Sequence, residues 1–192
     1  MTKINKPQGK IWLTSDLHFG HDRDFIYGPR GFDEVAAMNE AIIRNWNAVV
    51  SPEDDVYVLG DIMLGDDKTG LSCLRRLQGK IHIIVGNHDT DRRIELYREM
   101  GYDVEFGARL SHRKLSFYLS HYPTITENFD EDKPINRRVF NLHGHTHQDI
   151  KFNEMFPTMY CVGLEAQDNC PVSLDRVVDE IKERWAAMNI GN

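Results

Sequence analysis

Cysteine is scarce: three among 192 residues, Cys73, Cys161 and Cys170. None stands two residues from another, which excludes a CxxC redox motif and a thiolate zinc site. An odd, sparse set fits reduced thiols and a cytoplasmic protein. Long apolar runs are missing as well. No stretch approaches the ~20 apolar residues of a membrane span, and Met1 to Lys10 is polar, without the apolar centre of a signal peptide. Positive charge is in deficit, with a net charge of −7 and a pI of about 5.7. A basic groove for long nucleic acid is therefore not indicated, and neither a stable nucleic-acid complex nor membrane association is expected. Repeats, low-complexity tracts and Pro/Gly/Ser-rich linkers are also lacking, so residues 1–192 read as a single domain of the usual ~100–200 residues.

The hydrophobic pattern that remains alternates strands and helices. Lys10 to Ser15 predicts a buried strand. Asp33 is the expected N-cap of a helix reaching about Val50, with Val35, Met38, Ile42, Trp46 and Val49 on one face. Val56 to Leu59 predicts a second strand, and Leu71, Leu74 and Leu77 one face of a second helix. A third strand is expected over Ile81 to Val85 and a helix over Arg92 to Met100. Beyond that, Leu115–Ser120, Val139–Leu142, Asp149–Phe152 and Met159–Leu164 read as strands. Ser173 is the expected cap of a last helix carrying Leu174, Val177, Val178, Ile181 and Trp185. A βαβ first half and a strand-rich second half imply an α/β layered sandwich.

Metal-capable side chains fall at the ends of these strands. Asp16 and His18 follow the first, Asp61 the second, and Asn87, His88 and Asp89 the third. His121 ends the Leu115–Ser120 strand; His145 and His147 follow Val139–Leu142. Open α/β sheets bind ligands outside the carboxyl ends of their strands. Gly60, Gly86 and Gly144 accompany three of these ends and permit tight turns. Singly the elements are weak, since Gly60-Asp61 alone reads as a turn and His121 alone as a core histidine. Gly144-His145-Thr146-His147 is the strongest, because two histidines two apart on an extended segment can hold adjacent ions.

The order D-x-H, G-D, G-N-H-D, H, G-H-x-H resembles the calcineurin-like metallophosphoesterase family, over Asp16 to His147. The opening Thr14-Ser15-Asp16-Leu17-His18-Phe19-Gly20-His21 resembles a compact bacterial and phage branch of predicted phosphoesterases. The resemblance implies an αββα sandwich of two mixed β-sheets flanked by helices. It implies two divalent metal ions, the first on Asp16, His18 and His147, the second on Asn87, His121 and His145, with Asp61 shared. It also implies that His88 serves the phosphoryl group or leaving oxygen rather than a metal, and that a hydroxide shared by the ions attacks phosphorus. Ligands of nitrogen and oxygen without thiolate fit Mn²⁺, Fe²⁺, Ni²⁺ or Zn²⁺, with Mn²⁺ the first expectation.

Departures from the family pattern narrow the substrate. Gly60-Asp61 continues as Ile62-Met63-Leu64-Gly65-Asp66-Asp67, without the V-D-R-G of protein phosphatases. Only Thr90 to Lys114 separates the third motif from the strand before His121, too little for a cap domain. An open site suits small phosphodiesters or nucleotide-like esters; the alternatives with the same residues are a phosphomonoesterase, an exonuclease or a non-catalytic metal-binding scaffold. His21 and Arg30, in the loop after the first motif, are expected to touch substrate, Arg30 through a two-pronged phosphate contact; the alternative for Arg30 is a pair with a surface acid such as Asp33. His82 is expected to be structural, His112 superficial and His143 core or supporting. The pairs Arg75-Arg76, Arg92-Arg93 and Arg137-Arg138 read as solvated faces. Oligomeric state cannot be read from the sequence.

Overall fold

The structure, a computed structural model, describes residues 9–126 and 133–188. The polar stretch expected at the N-terminus lies outside the described residues up to residue 8. Among the described residues, nine strands form two mixed sheets: β1 (Ile11–Thr14), β2 (Asp55–Leu59), β3 (Lys80–Ile84), β4 (Asp103–Glu105), β5 (Ala108–His112), β6 (Leu115–Leu119), β7 (Val139–His143), β8 (Met159–Cys161) and β9 (Val172–Ser173). The helices are α1 (Asp24–Tyr27), α2 (Val35–Val49), α3 (Asp67–Leu74), α4 (Asp91–Glu99) and α5 (Leu174–Ala187), with 3₁₀ turns at Ile135–Arg137 and Leu164–Gln167. The first sheet has the order β4-β3-β2-β1-β9, and the second β5-β6-β7-β8. β1 to β4 run parallel, as do β6 to β8; β9 and β5 are the antiparallel members.

The alternation of side chains along β2 explains the layering. Val56 and Val58 face an outer core with Met38, Ile42 and Trp46 of α2 and Ile94 and Tyr97 of α4. Tyr57 and Leu59 face an inner core with Phe117, Leu119, Phe140 and Leu142 of the second sheet, which α5 joins through Val177, Val178, Ile181 and Trp185. A strand buried on both faces reads as the continuous apolar run seen at Val56–Leu59. Trp46 is the largest fully buried side chain, and its indole N–H donates to the Gln78 carbonyl at 2.8 Å. Among the described residues, no helix is long and apolar enough to cross a membrane.

Several boundaries differ from expectation. α2 begins at Val35 behind Glu34, which makes no side-chain cap, so Asp33 is not the N-cap. Asp66 and Ser173 cap α3 and α5 by accepting from Thr69 N–H and Arg176 N–H. Asp149–Phe152 forms no strand; Phe152 makes a single bridge to Tyr160. β4, β9 and α1 carry two to four residues each, too few to express a hydrophobic period. β5 was hidden by its hairpin, whose turn residues Arg113 and Lys114 adopt φ of 47° and 69° without the Asn or Gly that normally marks such a turn.

Trp46→Ala should destabilise the fold by roughly 3–5 kcal/mol, measured by urea unfolding. An unchanged midpoint would remove Trp46 from the core on which the first sheet rests.

Candidate metal centre

The parallel strands deliver their carboxyl ends to one edge, where the two sheets meet. Asp16 and His18 lie past β1, Asp61 past β2, Asn87 and His88 past β3, His121 past β6, and His145 and His147 past β7. Their polar atoms converge. The ligand atoms of Asp16, His18 and His147 lie within 4.8 Å of one another, and so do those of Asp16, Asp61 and His121. His18 Nε2 is 3.2 Å from His147 Nε2. Asn87 Oδ1 is 2.9 Å from both His121 Nε2 and His145 Nδ1. Asp61 Oδ2 lies between the clusters, 3.8 Å from His18 Nε2 and 3.5 Å from His121 Nε2.

Tautomers follow from the partners. His147 Nδ1 is 2.8 Å from Glu165 Oε1, and an ionised carboxylate only accepts, so Nδ1 carries the proton. His121 Nδ1 is 2.8 Å from the Leu59 carbonyl oxygen and carries its proton for the same reason. In the neutral rings both Nε2 atoms then present bare lone pairs, one toward His18 and Asp16, the other toward the Asn87 carbonyl oxygen. Asp16 Oδ1 is buried with no donor among the described residues. Acceptors facing acceptors repel unless a cation lies between them, and oxygen and imidazole donors without thiolate suit divalent Mn, Fe, Ni or Zn. The arrangement fits metal binding.

Burial shapes the electrostatics. It raises the Asp16 carboxyl above its usual range and lowers His18, an effect to which the Arg30 charge adds. Burial also lowers His145, helped by His121. Around Glu165 burial is outweighed: the His147 bond and the Arg30 charge hold its carboxyl down at about 2. Burial likewise opposes protonation of His147, yet Glu165 and Asp16 raise it above its usual value.

The backbone at this edge is strained. Asp16, His18, Asp61, His145 and His147 have φ of 59°, 50°, 56°, 70° and 49°, a left-handed region costing roughly 1–3 kcal/mol per non-glycine residue. Backbone ties hold the turns: Asp16 N–H donates to the Gly60 carbonyl and His18 N–H to the Asp61 carbonyl, each at 3.0 Å. Gly60 has φ of 90°, and a Cβ there would lie 2.5 Å from His121 Nδ1. A Cβ at Gly144 would collide with Ser15 Oγ and Asp16 Oδ2, so the two sheets touch through that glycine.

Three buried charged residues brace the loops. Asp89 Oδ2 accepts from Asp61 N–H and Gly86 N–H, each at 2.9 Å, and Oδ1 accepts from Tyr97 Oη–H at 2.9 Å. Arg93 donates to the carbonyls of Met63, Gly65 and His88 and pairs with Asp67. Arg30 donates to the Asp16 carbonyl at 2.7 Å and the Leu17 carbonyl at 3.3 Å, and to Glu165 through Nε and Nη2.

The other sequence-predicted residues divide. His88 sits at the rim, its side chain 39% exposed and Nε2 3.9 Å from Asp61 Oδ2. His21 joins it from the first loop, its ring 5.2 Å from His18 and 6.4 Å from His88. Arg30 does not reach outward: its side chain is fully buried and its donors are spent on carbonyls and Glu165. The expected phosphate contact is thus replaced by a brace beneath the first loop. Arg93 and Arg138 are also buried rather than solvated, Arg138 lying 4.9 Å over the Trp185 ring, whereas Arg75, Arg76, Arg92 and Arg137 are exposed. His82 pairs with Asp55 and stacks on Tyr57, His112 pairs with Asp175, and His143 is buried against the Gly144 carbonyl. Sequence reasoning missed Glu165. It follows β8, one further strand end, and that placement was its available signal.

Asp89→Ala should cost at least ~2 kcal/mol, because two buried amides lose their acceptor at ~1–3 kcal/mol each, while Tyr97→Phe should cost ~1 kcal/mol. Chemical denaturation of both variants checks the ranking; equal losses would make Tyr97 the principal partner.

Comparison with known proteins agrees with this geometry. A family model described as calcineurin-like phosphoesterase matches residues 9–177. An uncharacterized protein of Methanocaldococcus jannaschii is 33% identical, the match covering 91% of this chain and 92% of that protein. A gene 66 protein of a Mycobacterium phage is 32% identical over 90% of this chain and 98% of its own. A protein of unknown function from Aquifex aeolicus has a similar solved structure, with a TM-score of 0.63 and 25% identity over 90% of this chain and 98% of that one. The chain belongs to the calcineurin-like phosphoesterase family and is a metal-dependent phosphoesterase.

Proposed function

We propose that this protein hydrolyses small phosphodiesters or nucleotide-like esters with two divalent cations, Mn²⁺ foremost, in the cytoplasm. The observation that carries the reading is Asp61. Its Oδ1 accepts from the His88 N–H at 2.9 Å, which leaves Oδ2 between the two nitrogen-rich clusters. Asp16, His18 and His147 would hold one ion, Asn87, His121 and His145 the other, and Asp61 Oδ2 both. Bound there, paired cations supply charge neutralisation at the phosphoryl group and a more acidic water.

The remaining steps fall to this chain's own groups. Arg93 holds the His88 carbonyl at 2.8 Å, which steadies the backbone from which the ring projects. Half-exposed, it can meet a substrate oxygen and donate a proton to the leaving group, a role worth typically ~10²–10⁴-fold. His21 stands beside it as a second rim donor. Thr90 to Lys114 folds as α4, β4, β5 and their connections without a separate cap, and this supports access for small esters of varied shape.

Metal analysis of reconstituted protein should find about two ions per chain, as a paired-ion site requires, and chelation should abolish hydrolysis. Full activity after exhaustive EDTA treatment would reject the mechanism. Asp61→Ala should weaken both ions and His18→Ala mainly one, read by calorimetric titration; wild-type affinity at both sites in Asp61→Ala would exclude sharing.

His88→Ala should keep its metal and lose kcat by roughly 10²-fold or more, with larger losses on esters of poor leaving groups than on nitrophenyl esters. Equal losses would restrict His88 to positioning. A panel of phosphodiesters, phosphomonoesters and single-stranded DNA assigns the ester class.

A further inference from the structure

Glu165 is a buried carboxylate that the chemistry above does not use. It follows β8 within the 3₁₀ turn Leu164–Gln167, and its side chain is 10% exposed. One oxygen, Oε1, accepts from His147 Nδ1 at 2.8 Å, Arg30 Nη2 at 2.7 Å and Arg30 Nε at 2.9 Å. Arg30 in turn holds the Asp16 and Leu17 carbonyls. A single carboxylate therefore ties the loop carrying Asp16 and His18 to the loop carrying His147, segments about 130 residues apart in sequence.

The two clusters differ in this respect. His121 leans on a neutral backbone carbonyl, that of Leu59. Among the described residues, the His145 ring bonds to Asn87 and His121, inside the cluster itself. Among the described residues, a carboxylate behind the outer nitrogen of a ligating ring is found at His147 and at neither His121 nor His145. A carboxylate behind a ligating imidazole fixes its tautomer and orientation and makes it a stronger donor.

We propose that Glu165 is a positioning residue for the cation at Asp16, His18 and His147, and that it makes that site the tighter of two unequal ones. The inference rests on the two-cation reading. Through Oε1 it keeps the His147 proton on Nδ1 and the Nε2 lone pair inward, and through Arg30 it sets the turn from which Asp16 and His18 project. A neutral amide of the same shape keeps the packing but loses the charge that balances Arg30 and strengthens His147.

The test is Mn²⁺ titration calorimetry on the metal-free full chain, comparing wild type with Glu165→Gln. His18→Ala and His145→Ala, each disabling one cluster, identify the two sites. Glu165→Gln should weaken the tighter site about 10–100-fold and leave the other unchanged, even though losing the charge opposite buried Arg30 lowers the melting temperature of the metal-free protein. Unchanged affinity at both sites would overturn the proposal. So would parallel weakening of both, since that is the signature of a general structural role. If Glu165→Gln does not fold, Glu165→Asp keeps the charge opposite Arg30 but draws the carboxylate back from His147. It should weaken the same site, and wild-type affinity in that variant would equally overturn the proposal. A wild-type protein binding a single ion would defeat the two-cation reading instead. Glu165 would then stand or fall on whether Glu165→Gln weakens that one ion.

Discussion

Mutual repulsion among acceptors is the constraint around which this edge of the molecule is built. Carboxylate, amide and imidazole lone pairs are brought within about 3–4 Å of one another, with Asp16, His18, Asp61 and His121 buried and Asn87, His145 and His147 open to solvent. Nothing in that arrangement is favourable in the bare chain. The fold must therefore impose it from outside, through turns that have no freedom to relax.

Two buried arginines impose it in the same way. Each gathers backbone carbonyls from the strained turns and is balanced by one acid, Arg30 by Glu165 and Arg93 by Asp67. Among the residues whose carbonyls are held in this way, Asp16 and Gly65 have positive φ. Asp89 applies the converse device, gathering amide donors from the turns after β2 and β3. Breaking a buried pair strands a charge at a cost of roughly 3–5 kcal/mol, so these braces resist loss more firmly than surface pairs such as Arg76–Glu40, whose side chains are about half exposed.

The convergence of the candidate site was legible in sequence where chemistry and position coincide. Asp16, His18, Asp61, Asn87, His88, His121, His145 and His147 each close a strand, and polar side chains at such places seldom serve packing. The sheets were legible from their apolar runs. What escaped depends on direction rather than identity. An arginine in a loop looks the same whether it reaches for solvent or turns beneath the backbone, which is why Arg30, Arg93 and Arg138 were misplaced. Glu165 stands outside every motif and has meaning only once β8 is set beside β7. Asp149–Phe152 carries strand-like residues without a partner strand over its length, and composition alone does not record that.

No stretch of the chain owns the site. Its seven cluster residues and His88 come from five strand ends across two sheets, and no strand end contributes more than two of them. An unfolded or half-folded chain therefore offers a cation scattered, weak contacts, and a complete cage exists only after the sheets have docked. Affinity for the ion is then drawn from the same free energy as folding, so that free metal in excess of its dissociation constant stabilises the native state by mass action. The cation reports on, and reinforces, the docking of one sheet against the other.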